Sequence, residues 1–220
     1  MPDHEPMPLS TKTGDDGTTG LLFGGRVSKT DPVIEVVGAI DEAVAALGLA
    51  RALLVDHATG AAAGVVARVA AGDPSGVVAG DEHGSSELAG LILGLQRGLF
   101  VVAADAAAAP RARDQLVPGV SLVTAEMTAE LEDATDGLLA ERPLRPAFVV
   151  PGANPASAAL DVARGRLRSA ERRLVAAREA GAGVGDDVLA WVNRASDLVY
   201  AMARRAAGDG EEELSHGAVE

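Results

Sequence analysis

Residues 11–20 read Thr-Lys-Thr-Gly-Asp-Asp-Gly-Thr-Thr-Gly, and Lys29 follows in Arg26-Val-Ser-Lys29. Ten residues with three glycines and four threonines make a backbone that turns freely, because glycine enters conformations that side chains resist. Converging backbone amides, hydroxyls and ammonium groups wrap a polyphosphate. Thr11, Lys12, Thr13, Gly14, Asp15, Gly17, Thr18, Thr19 and Lys29 are therefore candidate nucleotide contacts. No Walker A run, Gly-x-x-x-x-Gly-Lys-Ser/Thr, occurs in the chain. The same composition suits a solvated arm, and the loop alone leaves both readings open.

A second set of chemistry-bearing residues follows helical spacing. Arg164, Arg168 and Glu171 each come directly after an apolar seam position, so they lie at the edge of a core rather than opposite it. Asn193, Asp197, Tyr200 and Arg204 hold the equivalent stripe further on. Asp41 lies among Gly38, Ala45 and Gly48, small residues that let a helix or a ligand approach. Boundary charges of this kind commonly form surface or interface ion pairs worth ~0–1 kcal/mol. Arginines one turn apart also suit a phosphate chain, which guanidinium meets with a two-pronged donor.

Other chemistries fit poorly. The histidines, His4, His57, His83 and His216, share no metal-ligand spacing. Gly-x-Ser-x-Gly is absent. With no cysteine there is neither a disulfide nor a thiolate metal site. A net charge of −13 opposes nucleic acid and anionic membranes, so an anionic ligand needs a local cluster of basic groups. No apolar run is expected to reach a membrane span, and a cytoplasmic protein is expected.

The elements that must position these residues are helical. Hydrophobic residues make up 48% of 220 residues but aromatics only 2%. The core is thus built from Ala, Leu and Val, which favours close-packed helices. Asp31-Pro32 reads as a helix start, with Val33, Val37, Ile40, Val44 and Leu47 leading to about Leu54. Residues 56–86 mix helical and loop composition. A second helix carries Leu88, Leu91, Leu95, Leu99 and Val102, and residues 109–120 form a connection. A third runs from about Thr124 until Pro143 and Pro146 end it. Phe148-Val149-Val150 could be a strand, but no pairing partner is evident. The fourth helix, about 155–180, and the fifth, about 186–207, have bundle seams. Trp191 and Phe100 follow the helical spacing as packing residues, whereas Phe148 could face either core or ligand. The expected organisation is a flexible stretch over 1–10, one all-α five-helix domain over 11–207 with an irregular phosphate-binding loop, and a disordered acidic tail over 208–220.

Taken in order, these pieces resemble the PduO-type ATP:cob(I)alamin adenosyltransferases. The matching segments are Thr11–Gly20, Arg26–Lys29 with Asp31-Pro32, Gly38-Ala-Ile-Asp-Glu42, Gln96–Phe100 with Ala104-Asp105, Phe148–Gly152, Ala163–Arg172 and Val192–Tyr200. The resemblance implies a homotrimer with active sites between subunits, which moves the 5′-deoxyadenosyl group of ATP to the cobalt of a reduced corrinoid and releases triphosphate. It implies that the amino-terminal loop and Lys29 fold over the triphosphate, and that Arg168, Glu171 and Asn193 hold the nucleotide and its Mg²⁺, with Glu171 as the metal ligand. It pairs Asp41 with Arg164 across the interface near the corrin, and sets Phe148 against the corrin's lower face, displacing the lower cobalt ligand. A reductase and an adenosylcobalamin-dependent acceptor enzyme are implied partners. The chain departs from the family at Pro151-Gly152-Ala153, at Arg168-Ser169-Ala170 and at Ala43, so a corrinoid-binding or delivery protein of the same fold is the alternative. A helical assembly protein that binds no nucleotide is a third reading. Joint retention of Lys29, Asp41, Phe148, Arg168, Glu171 and Asn193 argues against it.

Overall fold

The structure is a computed structural model that describes residue 10 and residues 12–70 and 82–214, with the backbone alone at 56–70, 82, 83 and 110. Two short strands, β1 (Thr18–Gly20) and β2 (Arg26–Ser28), precede the long helix α1 (Pro32–Ala70) and α2 (Glu82–Ala107). A 3₁₀ turn at Pro110–Gln115 leads to α3 (Ala125–Glu141). Strand β3 (Val149–Val150), α4 (Pro155–Glu179), α5 (Asp186–Ala207) and strand β4 (Glu212–Glu213) complete the chain.

The five helices form where the apolar spacing places them, and their starts have local causes. Asp31 caps α1 by accepting from the Val33 amide at 2.9 Å. Asn154 and Ser157 form a reciprocal capping box ahead of Pro155 at the start of α4. Helix α1 packs on α2 and α4, α4 packs on α5, and α5 packs on α3. Leu160, Ala163, Leu167, Ala170 and Leu174 of α4 are fully buried between α1 and α5. Alternating alanine with leucine lets the helix axes approach closely without leaving voids. Between α2 and α3 a cavity of about 480 Å³ remains, bordered by Gly90, Gly94 and Gly98 and reaching Trp191.

Several expectations are corrected here. Helix α1 does not end near Leu54 but continues to Ala70, because the alanine-rich stretch after it has no breaker strong enough to stop a helix. Of the uncertain stretch 56–86, residues 71–81 lie outside the described residues. The amino-terminal loop is partly a hairpin, with Thr18 opposite Ser28 and Gly20 opposite Arg26. Its turn places Phe23, Gly24 and Gly25 at positive φ. The strand at Val149–Val150 does have a partner, and it comes from the supposed disordered tail. Val149 pairs with Glu213 and Val150 with Glu212. Charge composition suggested disorder because the strand partner and the ion pairs of that segment lie far away in sequence. Residues 1–9 and 215–220 lie outside the description.

Two further points concern apolar residues. Trp191 is buried, but Phe100 is 62% exposed and is not a packing residue of this bundle. Helical spacing gave its period correctly, but its phase falls on the outer side of α2. The span Gly84–Ala107 is long and apolar enough, by length and composition, to cross a membrane, against the expectation that no run reaches that limit. Leu88, Ile92, Leu95, Leu99 and Val102 within it are buried in the bundle core.

Gly98 shows how tightly α2 meets α5. A Cβ added there would lie 2.2 Å from the Trp191 ring, closer than any real contact. Alanine would gain about 1 kcal/mol in helix propensity, but the overlap requires the ring or the helix to shift, at typically ~1–3 kcal/mol. Gly98→Ala is therefore expected to lower the midpoint of urea unfolding. A raised midpoint would contradict this packing.

Candidate active site

The amino-terminal loop is organised by its own polar groups. Asp16 accepts hydrogen bonds from the Thr18 amide at 2.9 Å and the Thr18 hydroxyl at 2.8 Å. Arg26, across the hairpin, donates to the Thr13 carbonyl and to the Thr18 hydroxyl, each at 2.5 Å, and sits 3.5 Å from Asp16. The Lys29 amide donates to the Gly17 carbonyl at 2.9 Å. Lys29 then folds back, so that its ammonium would lie 3.2 Å from a Cβ at Gly14. Gly14 is thus a position where a side chain would crowd the lysine, and Gly17, at φ +81°, is one where it would strain the backbone. The loop and Lys29 form one unit. Lys12, Thr13, Asp15, Asp16 and Gly17 are exposed, Gly14, Thr18 and Thr19 half-buried, and Thr11 lies outside the described residues. The hairpin is fastened to the bundle by Leu22, whose amide donates to the Ala107 carbonyl at 3.1 Å.

On the helices, α4 and α5 bring two groups together. Asn193 donates through Nδ2 to Oε1 of Glu171 at 3.0 Å, while its own carbonyl oxygen accepts from Arg194. Both lone-pair and proton sides of the amide are therefore engaged, while the other Glu171 oxygen accepts no hydrogen bond among the described residues. Further along, the Tyr200 ring contacts two guanidiniums, with Arg164 4.9 Å and Arg204 5.1 Å from its centroid. Arg204 is not a boundary residue as its spacing suggested. Its side chain is 7% exposed and pairs with Asp161 at 2.5 Å and with Glu211 at 3.2 Å. Glu211 belongs to the tail, so the sequence pattern of α5 alone gave no sign of that partner.

The remaining residues stand apart. Asp41 and Arg168 are exposed and take part in no ion pair among the described residues, and neither does Lys29. Their neighbours do: Glu42 meets Arg166 at 2.8 Å and Glu35 meets Arg173 at 3.4 Å, joining α1 to α4. Asp41 is not joined to Arg164 within the chain, and the Nε of Arg164 is buried without a hydrogen-bond partner. Phe148 is 73% exposed. Ala104-Asp105, part of the resemblance, has a structural role that spacing did not show. Asp105 is 1% exposed and accepts from Arg113 at 2.7 Å and from the Val123 amide at 3.0 Å, pinning the connection after α2.

Residues 9–206 match the family model described as Cobalamin adenosyltransferase. The chain belongs to the cobalamin adenosyltransferase family. It is 32% identical over 216 residues to the corrinoid adenosyltransferase of Bacillus subtilis, covering 97% of this chain and 95% of that one. It is 33% identical over 204 residues to that of Mycobacterium tuberculosis, covering 92% and 90%. A match to the corrinoid adenosyltransferase PduO of Citrobacter freundii, 33% identical over 198 residues, covers 90% of this chain but only 49% of the relative. The chain thus spans about half the length of that cobalamin adenosyltransferase. In fold it is similar to a variant PduO-type ATP:corrinoid adenosyltransferase from Lactobacillus reuteri complexed with cobalamin and ATP. The TM-score is 0.73 at 23% identity, with 96% of this chain and all of that one covered.

The loop geometry has a titratable signature. The Thr18 hydroxyl, then the Thr18 amide, and more weakly the charge of Arg26 hold the Asp16 carboxyl below the usual aspartate range. A depressed carboxylate contributes order that is complete above the ordinary aspartate pKa and is lost as pH falls through the lowered value. The Thr18 amide resonance should therefore titrate with a midpoint below that of an ordinary aspartate. A midpoint at or above the ordinary value would contradict the turn described here.

Proposed function

We propose that this chain transfers the 5′-deoxyadenosyl group of ATP to the cobalt of a reduced corrinoid and releases triphosphate, working in the cytoplasm as a homotrimer. The observation that carries the reading is the exposed Lys29, its ammonium folded over Gly14 in a loop of tight turns and free of any ion pair among the described residues. In a chain of net charge −13, an uncommitted cation in an amide-rich turn is suited to a triphosphate.

The reaction needs little from the protein as acid or nucleophile. Cobalt(I) supplies both electrons of the new bond to the 5′ carbon and becomes formally cobalt(III). The bond from that carbon to the phosphate oxygen breaks, and triphosphate leaves with the electron pair. The chain's residues must align the two centres and stabilise the departing charge. Lys12, Lys29 and the loop amides would take the triphosphate, with Arg168 donating to it. The pair Glu171–Asn193 offers one carboxylate, and among the described residues no three metal-ligating side chains cluster. That sparse donor set suits Mg²⁺, which takes one or two carboxylates together with substrate phosphates and water. Glu171 would hold the ion, which when bound neutralises phosphate charge. Phe148 would fill the space below the corrin and exclude a lower ligand. Asp41 and Arg164, unjoined within one chain, would meet between subunits. A reductase would supply the reduced corrinoid, and an adenosylcobalamin-dependent enzyme would receive the product.

Anaerobic incubation with ATP, Mg²⁺ and chemically reduced cobalamin should consume cob(I)alamin absorbance, and absence of any turnover would refute the proposal. In the same assay Lys29→Ala should raise the KM for ATP before it affects the corrinoid. Arg168→Ala should lower kcat by ~10²–10³, the usual cost of losing one contact to developing charge. Wild-type kinetics in both variants would leave the loop a solvated arm. Light scattering should give three times the monomer mass, falling toward one in Asp41→Ala. A wild-type monomer at micromolar concentration would rule out sites shared between subunits.

A further inference from the structure

Phe148 is too exposed for the bundle core to fix it, so its placement must come from the backbone that carries it. The tethers of that backbone converge on one place. The Leu214 amide donates to the Phe148 carbonyl at 2.8 Å, extending the pairing of β3 with β4. Before Phe148, Arg145 meets Glu213 at 3.4 Å, and Arg142 donates to the Gly208 carbonyl and sits 3.5 Å from Asp209. After it, Asn154 donates to the Ala206 carbonyl at 2.7 Å, and Ala153 lies beside Gly210. Residues 142–154 are thus held from both sides by the end of α5 and the segment that follows.

That segment is itself anchored. The Glu211 side chain is 4% exposed and lies 3.2 Å from the buried Arg204, whose other carboxylate partner is Asp161 on α4. A carboxylate buried without a cation is costly, so the Glu211 side chain, and the tail with it, is held at Arg204. Arg204 also lies against the Tyr200 ring, which Arg164 contacts as well.

We propose that residues 208–214 are a positioning element for Phe148, with Glu211 on Arg204 as the anchor and the Leu214 amide as the final tether. The inference rests on the transferase reading and adds a role to a segment whose composition suggests only a solvated tail. The segment acts through Phe148 rather than on the reacting atoms. It sets the height and direction of Phe148, and through Arg204 and Tyr200 it steadies Arg164.

Leu214→Pro tests this directly, because it removes the donor N–H while leaving an extended backbone acceptable to proline. Leu214→Ala is the control that keeps the N–H, and the Leu214 side chain is exposed. Wild type with ATP and cob(II)alamin should show four-coordinate cobalt by electron paramagnetic resonance. Leu214→Pro should cut that fraction about tenfold, the scale of a misplaced positioning group, while hydrogen exchange of residues 146–152 rises and the KM for ATP stays unchanged. Leu214→Ala should match the wild type. If Leu214→Pro melts early, Arg145→Ala, which removes only an exposed ion pair, should shift the same fraction in the same direction. A wild-type cobalt spectrum in Leu214→Pro overturns the inference, as does an equal loss in Leu214→Ala. A wild type that never gives four-coordinate cobalt overturns the placement of Phe148 and the inference with it, and is told apart because the unaltered protein is then the one that fails.

Discussion

A guanidinium buried in a bundle of alanine, leucine and valine must be neutralised, and most of the arrangement at one end of this molecule follows from that demand. Desolvating a charge costs several kcal/mol unless opposite charges and aligned donors replace water. Arg204 meets the requirement with Asp161 from the neighbouring helix and Glu211 from the segment beyond its own helix. Its Nε faces the Glu211 carboxylate without the alignment of a hydrogen bond, so that contact is an ion pair in the plain sense. Two carboxylates on one arginine join the tail to α4 and α5, which their apolar seams already pack together. The hairpin end carries a parallel case on the surface, where Arg26 gathers Thr13, Asp16 and Thr18 into one turn.

The distribution of satisfied and unsatisfied charge separates architecture from chemistry. Arg166 and Arg173 are spent on α1, Arg113 on Asp105, and Arg142 and Arg145 on the tail. Their roles are complete within one chain. Lys29, Asp41 and Arg168 make no such pairs among the described residues. Exposed ion pairs contribute little stability, so their absence at these positions costs the fold almost nothing. The positions stay available for phosphate or for another subunit.

Much of this was legible from residue types. Helix starts at Asp31-Pro32 and Asn154-Pro155, and the seams of α4 and α5, are local signals, since capping and 3.6-residue periodicity depend on near neighbours. The loop with Lys29 and the pair Glu171–Asn193 were marked by spacing and by the ordered resemblance. What escaped was non-local. Nothing in Glu211-Glu-Glu-Leu214 announces a strand, because its partner is two helices away and its pairing depends on ion pairs formed only after folding. Arg204 read as a boundary residue because periodicity gives a face, not what later covers that face. Phe100 escaped in the opposite sense, since an apolar residue on a helix repeat need not point into its own bundle.

The tethers of the Phe148 segment bridge 52 to 68 residues of sequence, and that distance has a kinetic meaning. Closing so long a loop is entropically costly until the helices between have packed. The pairing of β3 with β4 therefore belongs to the late part of folding, after α4 and α5 have brought its two halves near each other. A two-residue ladder with few buried contacts is also among the first places to open while the bundle stays intact. The part of the chain nearest the proposed corrin face would then breathe on its own timescale, uncoupled from global unfolding. A bulky flat substrate could enter there without the helices having to separate.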